Sequence, residues 1–270
     1  MTREFEHKSF FERLGGILRL DMRRMFGTPL FYIMLGVAFV IPILVLVMTT
    51  MMAGTTTQNP TTGEITEIES FENVWQIIGS TSDAASSGDM AEMMSLTSMC
   101  NINMMYLLAA VLVCLFIGDD FRFGYVKNLF ARRPSKIDYI ISKSLVTFLA
   151  SAAMLIAFFV GGMLGGAISA LPFDAGVSGS EIFMCIMAKV FLMAVFTSLF
   201  VLMSVIAKSK VWLSMILSLG SGMLLFNIAP SVTPLDSGIV QLALCLAGGV
   251  LVSVGMGAIS NIVLEKTDIL

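Results

Sequence analysis

One cation, Lys189, stands inside an otherwise apolar run of the chain. An ionised ammonium in hydrocarbon is costly, so such a lysine is paired, reaches the headgroups along its own stem, or lines a route for a polar solute. Its nearest sequence partner is Glu181, about two helical turns away on the same face. Asp174 lies a little further along. Lys189, Glu181 and Asn227 are therefore the candidates for a pathway or gate. Asn101, Asn103 and Asn227 sit near the ends of apolar runs, where amides commonly hydrogen-bond between helices.

The richest polar stretch is 118–143, GDDFRFGYVKNLFARRPSKIDYIISK. Phe121, Phe123, Tyr125, Phe130 and Tyr139 alternate there with Arg122, Lys127, Arg132, Arg133 and Lys136. The plainer reading is a basic loop touching anionic headgroups. The sharper one is a short helix offered to a cytoplasmic protein, with aromatic anchors inside an arginine rim.

Catalysis has little to work with. The single histidine, His7, lies in the N-terminal tail, so a buried histidine metal or acid–base centre is excluded. There is no HExxH, no GxSxG and no catalytic-type pair of aspartates within the apolar runs. Cys100, Cys114, Cys185 and Cys245 lie in or beside apolar runs without a CxxC pair, and read as small buried hydrophobes. Met90, Met93, Met94, Met99, Met104 and Met105 suit helix packing better than soft-metal binding, since no histidine is near. The chain has no GxxxxGK[ST], so it has no loop to cradle nucleotide phosphates. It is expected not to be an enzyme, and to hold neither cofactor nor metal.

The elements that position these residues follow from hydropathy and charge. Mean hydropathy is +0.90 and 57% of residues are hydrophobic, more than a soluble domain carries. Lys and Arg total 16, and all but Lys189 fall in segments 1–28, 118–143, 208–210 and 263–270. The intervening segments 53–99, 171–181 and 230–238 have none and are acidic. Basic loops stay cytoplasmic, so both termini are expected inside, with an acidic outer face. The spacing predicts six spans, near 30–52, 89–117, 143–171, 182–207, 211–229 and 238–264. Asp89 and Glu92 resemble a cap for the second, and Pro42 is expected to kink the first. Before them, Phe11, Leu14, Leu18, Met22 and Met25 form an apolar stripe among arginines. That pattern predicts an amphipathic helix over 9–26, lying on the leaflet surface or packed on protein. A short piece, 71–78, is expected to lie against the outer membrane surface. The N-terminal stretch mixes acids with bases and is expected to be retained as an anchor.

The fold expected is therefore all-α and polytopic. Residues 1–28 form the N-terminal interface element. The six-span region is 29–264, with an external loop at 53–89 and a cytoplasmic loop at 118–142. A tail follows at 265–270. Gly161, Gly162, Gly165 and Gly166 form overlapping GxxxG patterns in the third span, and Gly248, Gly249, Gly255 and Gly257 do something similar in the sixth. Such residues let helices approach closely. Packing within the chain and sliding during gating are both open.

Segment 118–143 resembles the first cytoplasmic loop of permease subunits of type-2 ABC exporters. The matching residues are Asp119, Asp120, Phe121, Gly124, Tyr125, Lys127, Asn128, Leu129, Pro134, Ser135, Lys136, Tyr139 and Lys143. Tyr125 stands where that family often has Thr. The helix at 9–26 is similar to the family's elbow helix, and Lys266 and Asp268 to its usual ending. By this resemblance, Asp119, Asp120, Phe121, Gly124, Tyr125, Lys127, Arg132 and Arg133 belong to the element that couples to an ATPase. The resemblance implies a separate cytoplasmic ATPase that carries ATP and Mg, and a second copy of the permease in a homodimer. Membrane lipids are expected around it, and no nucleic acid. The low intramembrane charge fits efflux of an amphiphilic cargo such as a drug, lipid or antimicrobial peptide. The expected location is a plasma membrane, and the character of the chain suits a bacterial one. A different class remains open: a non-transporting immunity or sensor protein that binds peptides through its acidic outer loop.

Overall fold

The computed structural model describes residues 10–58, 65–67, 71–81, 100–132, 136–174 and 176–266, and for 56–58, 65–67 and Arg132 the backbone only. His7, the Asp89 cap, Met90 to Met99, Arg133, Pro134, Ser135 and Asp268 lie outside them, as do 59–64, 68–70 and 82–89 of the external loop.

Nine helices are described. They are α1 (Phe10–Gly27), α2 (Pro29–Met52), α3 (Met104–Arg122), α4 (Tyr125–Arg132) and α5 (Lys136–Ile168). Then come α6 (Gly179–Ala207), α7 (Val211–Phe226), α8 (Ala229–Val232) and α9 (Ile239–Glu265). A short 3-10 turn covers Val74–Ile77, and β1 (Thr56–Gln58) pairs antiparallel with β2 (Ile65–Glu67). Five helices, α2, α3, α5, α6 and α9, are long and apolar enough to cross a membrane. The chain is thus a multi-pass, helical membrane protein. The expected fifth span corresponds to α7, which is apolar but has 16 residues, about 24 Å of helix.

Local chemistry sets the boundaries. Pro29 opens α2 at a position where its missing N–H costs nothing. Ser178 and Glu181 form a capping box that starts α6 three residues ahead of the expected Ile182. Lys208 adopts a φ of 53° to reverse the chain into α7. The third span begins at Lys136 rather than Lys143, because the segment before Lys143 continues the same helix.

The core lies where α3, α5 and α6 meet, around Tyr106, Ala109, Val113, Ile117, Ala150, Phe158, Phe196 and Phe200. Outside this core, α2 packs on α5, α7 on α3 and α6, and α9 chiefly on α6. The glycine pattern is used here. A Cβ on Gly161 would fall on the Phe39 carbonyl oxygen, and one on Gly165 would stand 2.9 Å from the Ile43 Cα. Gly162 and Gly166 instead receive Ile77 and Val74 of the 3-10 turn. All four glycines therefore serve packing within the chain. In α9 only Gly249 receives a neighbour closely, 2.8 Å from the Phe191 carbonyl oxygen, while Gly248 and Gly255 face open space.

Segment 71–78 departs from expectation. Phe71, Val74, Ile77 and Ile78 are buried against protein, not laid on a membrane surface. The segment is tied in by hydrogen bonds from Val74 N to Pro172 O and from Ile102 N to Ile77 O. Trp75 Nε1 adds another to Phe173 O, at 2.7 Å. These bonds satisfy backbone groups that a lipid surface would leave unpaired.

Candidate functional sites

The basic segments gather at one end of the bundle: α1, the α3–α4–α5 connection, the α6–α7 turn and the end of α9. At this end α3 runs on through Asp119 and Asp120 to Arg122. Gly124, at φ 71°, then turns the chain into α4, a conformation that favours glycine. The stretch is therefore helix–glycine–helix, not an open loop.

Beneath α4 lies a buried charge cluster. Asp21, Asp120 and Lys143 are all fully buried. The Lys143 Nζ stands 2.8 Å from Asp21 Oδ1 and 2.6 Å from Asp120 Oδ2. The Arg24 Nη2 donates to Asp120 Oδ1 at 2.6 Å. The Ser142 hydroxyl donates to Asp21 Oδ2 at 2.7 Å, and the Tyr139 hydroxyl to Asp120 Oδ2 at 3.2 Å. Aromatic faces complete the shell. Lys143 Nζ lies 4.0 Å from the Phe116 ring centre, and the Arg24 guanidinium 4.2 Å from that of Tyr125. Two cations meet two carboxylates, so the cluster is neutral, with Asp21, Asp120 and Lys143 withdrawn from water and Arg24 at its edge. It joins α1, α3, α4 and α5.

Both neighbours on the non-spanning helices keep their ordinary protonation. Burial alone would lower the Arg24 pKa, but Asp120 beside it outweighs burial and the net shift is upward. Burial, reinforced by the Asp21 charge, raises that of Tyr125.

The predicted coupling residues divide. Asp120 and Tyr125 face the cluster. Phe121 is half-buried and packs on the core. Lys127, with Arg122, Phe123 and Asn128, is exposed. Asp119 is half-buried and makes no ion pair among the described residues. Arg132 closes α4. Of the expected α1 stripe, Met25 is buried and Leu14, Leu18 and Met22 are half-buried. Ile17, Asp21 and Met25 are the buried face of α1, set against α5, and Phe11 is exposed.

At the opposite end, Lys189 is fully buried. Its Nζ donates to Asn103 Oδ1 at 3.0 Å, to Thr233 O at 3.0 Å and to Thr233 Oγ1 at 2.9 Å. The Tyr106 hydroxyl donates to the Lys189 carbonyl, and its ring stacks on Phe196 at 4.4 Å. Lys189 therefore neither reaches a surface nor meets Glu181, whose carboxylate accepts from Ser178 N in the α6 cap. Asn227 is exposed at the end of α7. The three residues expected to share a pathway are not brought together.

Sequence reading missed two partners. Asp21 carried a signal: an acid at helical spacing between Ile17 and Met25, on an otherwise apolar stripe. Thr233 carried none, since it lies between two prolines in a segment read only as a loop. No known protein family, curated protein or solved structure matches this chain.

Proposed function

We propose that this chain is the membrane-spanning subunit of an ATP-driven exporter, and that a separate ATPase docks on α4. The observation that carries the reading is the build of the basic end. A short helix with exposed Phe123, Lys127 and Asn128 stands over a neutral charge cluster that grips α1, α3 and α5 at once. A push on α4 would reach the cluster through Tyr125, whose ring centre lies 4.2 Å from the Arg24 guanidinium, and from there α1, α3 and α5 through ion pairs of 2.6–2.8 Å. An idle headgroup loop has no need of such bracing.

In this reading α7 is a sixth span, and the basic end is cytoplasmic with both termini. The helix α1 lies at the interface, with Phe10, Phe11 and Leu20 exposed for lipid. Two copies enclose the pathway, and the exposed apolar residues of α2, α7 and α9 face lipid and the second copy. ATP and Mg reside on the partner. The cargo is amphiphilic, and the membrane is a bacterial plasma membrane.

The test is retention of the ATPase. Phe123→Ala with Lys127→Glu leaves the buried cluster untouched. A lost aromatic anchor costs about 2 kcal/mol, or about 30-fold in affinity. The double variant is expected to insert normally and release the ATPase on purification. Full ATPase retention by that variant would remove α4 as the docking element.

A further inference from the structure

We propose that Lys136 is the latch through which a push on α4 reaches α9. The latch rests on the exporter reading and adds to it a span that the buried charge cluster does not reach. Lys136 is the first residue of α5 and is half-buried. Its Nζ donates to the Leu264 carbonyl oxygen, in the last turn of α9, at 2.7 Å and across 128 residues. The same Nζ lies 5.9 Å from the ring centre of Phe130 on α4. The Phe130 ring in turn meets that of Tyr139 on α5 edge-on, at 5.7 Å. One ammonium therefore belongs to α5, faces an aromatic ring of α4 and bonds the end of α9.

The inner end of α9 is otherwise lightly held. Four of its 27 residues are buried, and in the last two turns these are Ser260 and Leu264. Polar side chains there bond within the helix. The Ser260 hydroxyl donates to Met256 O at 2.8 Å, and the Asn261 amide to Glu265 Oε1 at 2.7 Å. The last turn holds no basic residue and ends on Glu265, so the carbonyl end of the helix dipole and the carboxylate are both negative. Lys136 brings the cation from another helix. A cap alone needs no such reach, since the next residue already supplies one: Lys266 N donates to Ile262 O. A charge-assisted bond from α5 does more than cap, because it makes the end of α9 follow the start of α5.

The experiment is hydrogen exchange, read by mass spectrometry, on the full chain in nanodiscs of phosphatidylethanolamine and phosphatidylglycerol. The chain is measured alone, then with the ATPase that copurifies with it. In the chain alone, Lys136→Met should speed exchange at 262–265 about tenfold, the factor of one charge-assisted bond, and leave α3 unchanged. Lys136→Arg should restore the slow rate. In the complex, ATP with vanadate should alter exchange in α4 and at 256–261, a turn or two above the latch, in the wild type. In Lys136→Met it should alter α4 alone, a loss that simple fraying of the last turn would not produce. Unchanged exchange at 262–265 in Lys136→Met would overturn the latch. So would a wild-type response confined to α4, or a response at 256–261 that survives in Lys136→Met. Failure of any ATPase to copurify, or of ATP to alter α4, would instead overturn the exporter reading and the transmitted push with it. The chain-alone comparison keeps the two failures apart.

Discussion

At the basic end, Lys143 is buried against two carboxylates. At the opposite end, Lys189 is buried against an amide oxygen, a hydroxyl and a backbone carbonyl. Both ammonium groups are withdrawn from water, and each has two or more acceptors. The difference lies in who carries the opposite charge. Around Lys143 the charges cancel locally, and removing any one member strands another in a low dielectric. Around Lys189 the partners are neutral dipoles, so its removal strands only neutral acceptors. The first arrangement locks four elements into one block. The second pins α6 to the start of α3 and to Thr233 just after α8, with less at stake.

The largest expected effect breaks that contrast at its stronger side. Lys143→Met leaves two buried carboxylates, Asp21 and Asp120, sharing Arg24 alone, and should destabilise by roughly 3–5 kcal/mol. Unfolding in graded denaturing detergent would measure it. Adding Asp21→Asn should recover a large part of the loss, because Arg24 and Asp120 then remain as a balanced pair. Two additive losses would contradict a charge-balanced block.

Lys189→Met is the matching change at the other end. It should cost less, about 1–3 kcal/mol, the price of unpaired neutral acceptors. A loss equal to that of Lys143→Met would mean that Lys189 has a charged partner. The helix interfaces offer an intermediate pair of variants. Gly165→Val drives a side chain into the α2 backbone and should cost about 1–3 kcal/mol. Gly248→Ala meets nothing and should stay within about 0.5 kcal/mol.

A partly exposed pair sharpens the comparison within the basic end. Arg13 pairs with Asp138 at 3.7 Å, and its side chain is about one-third exposed. Because Asp138 itself is buried, Arg13→Gln should cost about 1–3 kcal/mol, less than Lys143→Met. A cost like that of Lys143→Met would show that burial of charge, rather than charge balance, sets the scale.

Spans were legible where apolar runs end on strong punctuation. Pro29, Lys210 and Gly238 mark helix starts within a residue or two of expectation. They were less legible where polar residues continue a helix, as Lys136 to Ser142 do in α5. Lys189 was visible as an anomaly, but its partners Asn103 and Thr233 lie 86 and 44 residues away, a separation that periodicity cannot bridge. The same holds for Asp21 and Lys143, 122 residues apart. Tyr125 and Phe121 read as exposed anchors because aromatics in a polar segment suggest a docking face. They are half-buried because the helix continues past the span and turns at Gly124, which rotates Phe123 and Lys127 outward instead.

The central claim is that α4 is the face on which an ATPase docks. A photoreactive amino acid at position 127, in the full chain expressed in its own membrane, tests it most directly. Position 127 is exposed and outside the buried cluster. Irradiation should join the chain to one protein that hydrolyses ATP, and the same probe at position 55, at the far end of α2, should not. Crosslinks from position 127 to lipid alone, or to the same ATPase equally from position 55, would contradict the account.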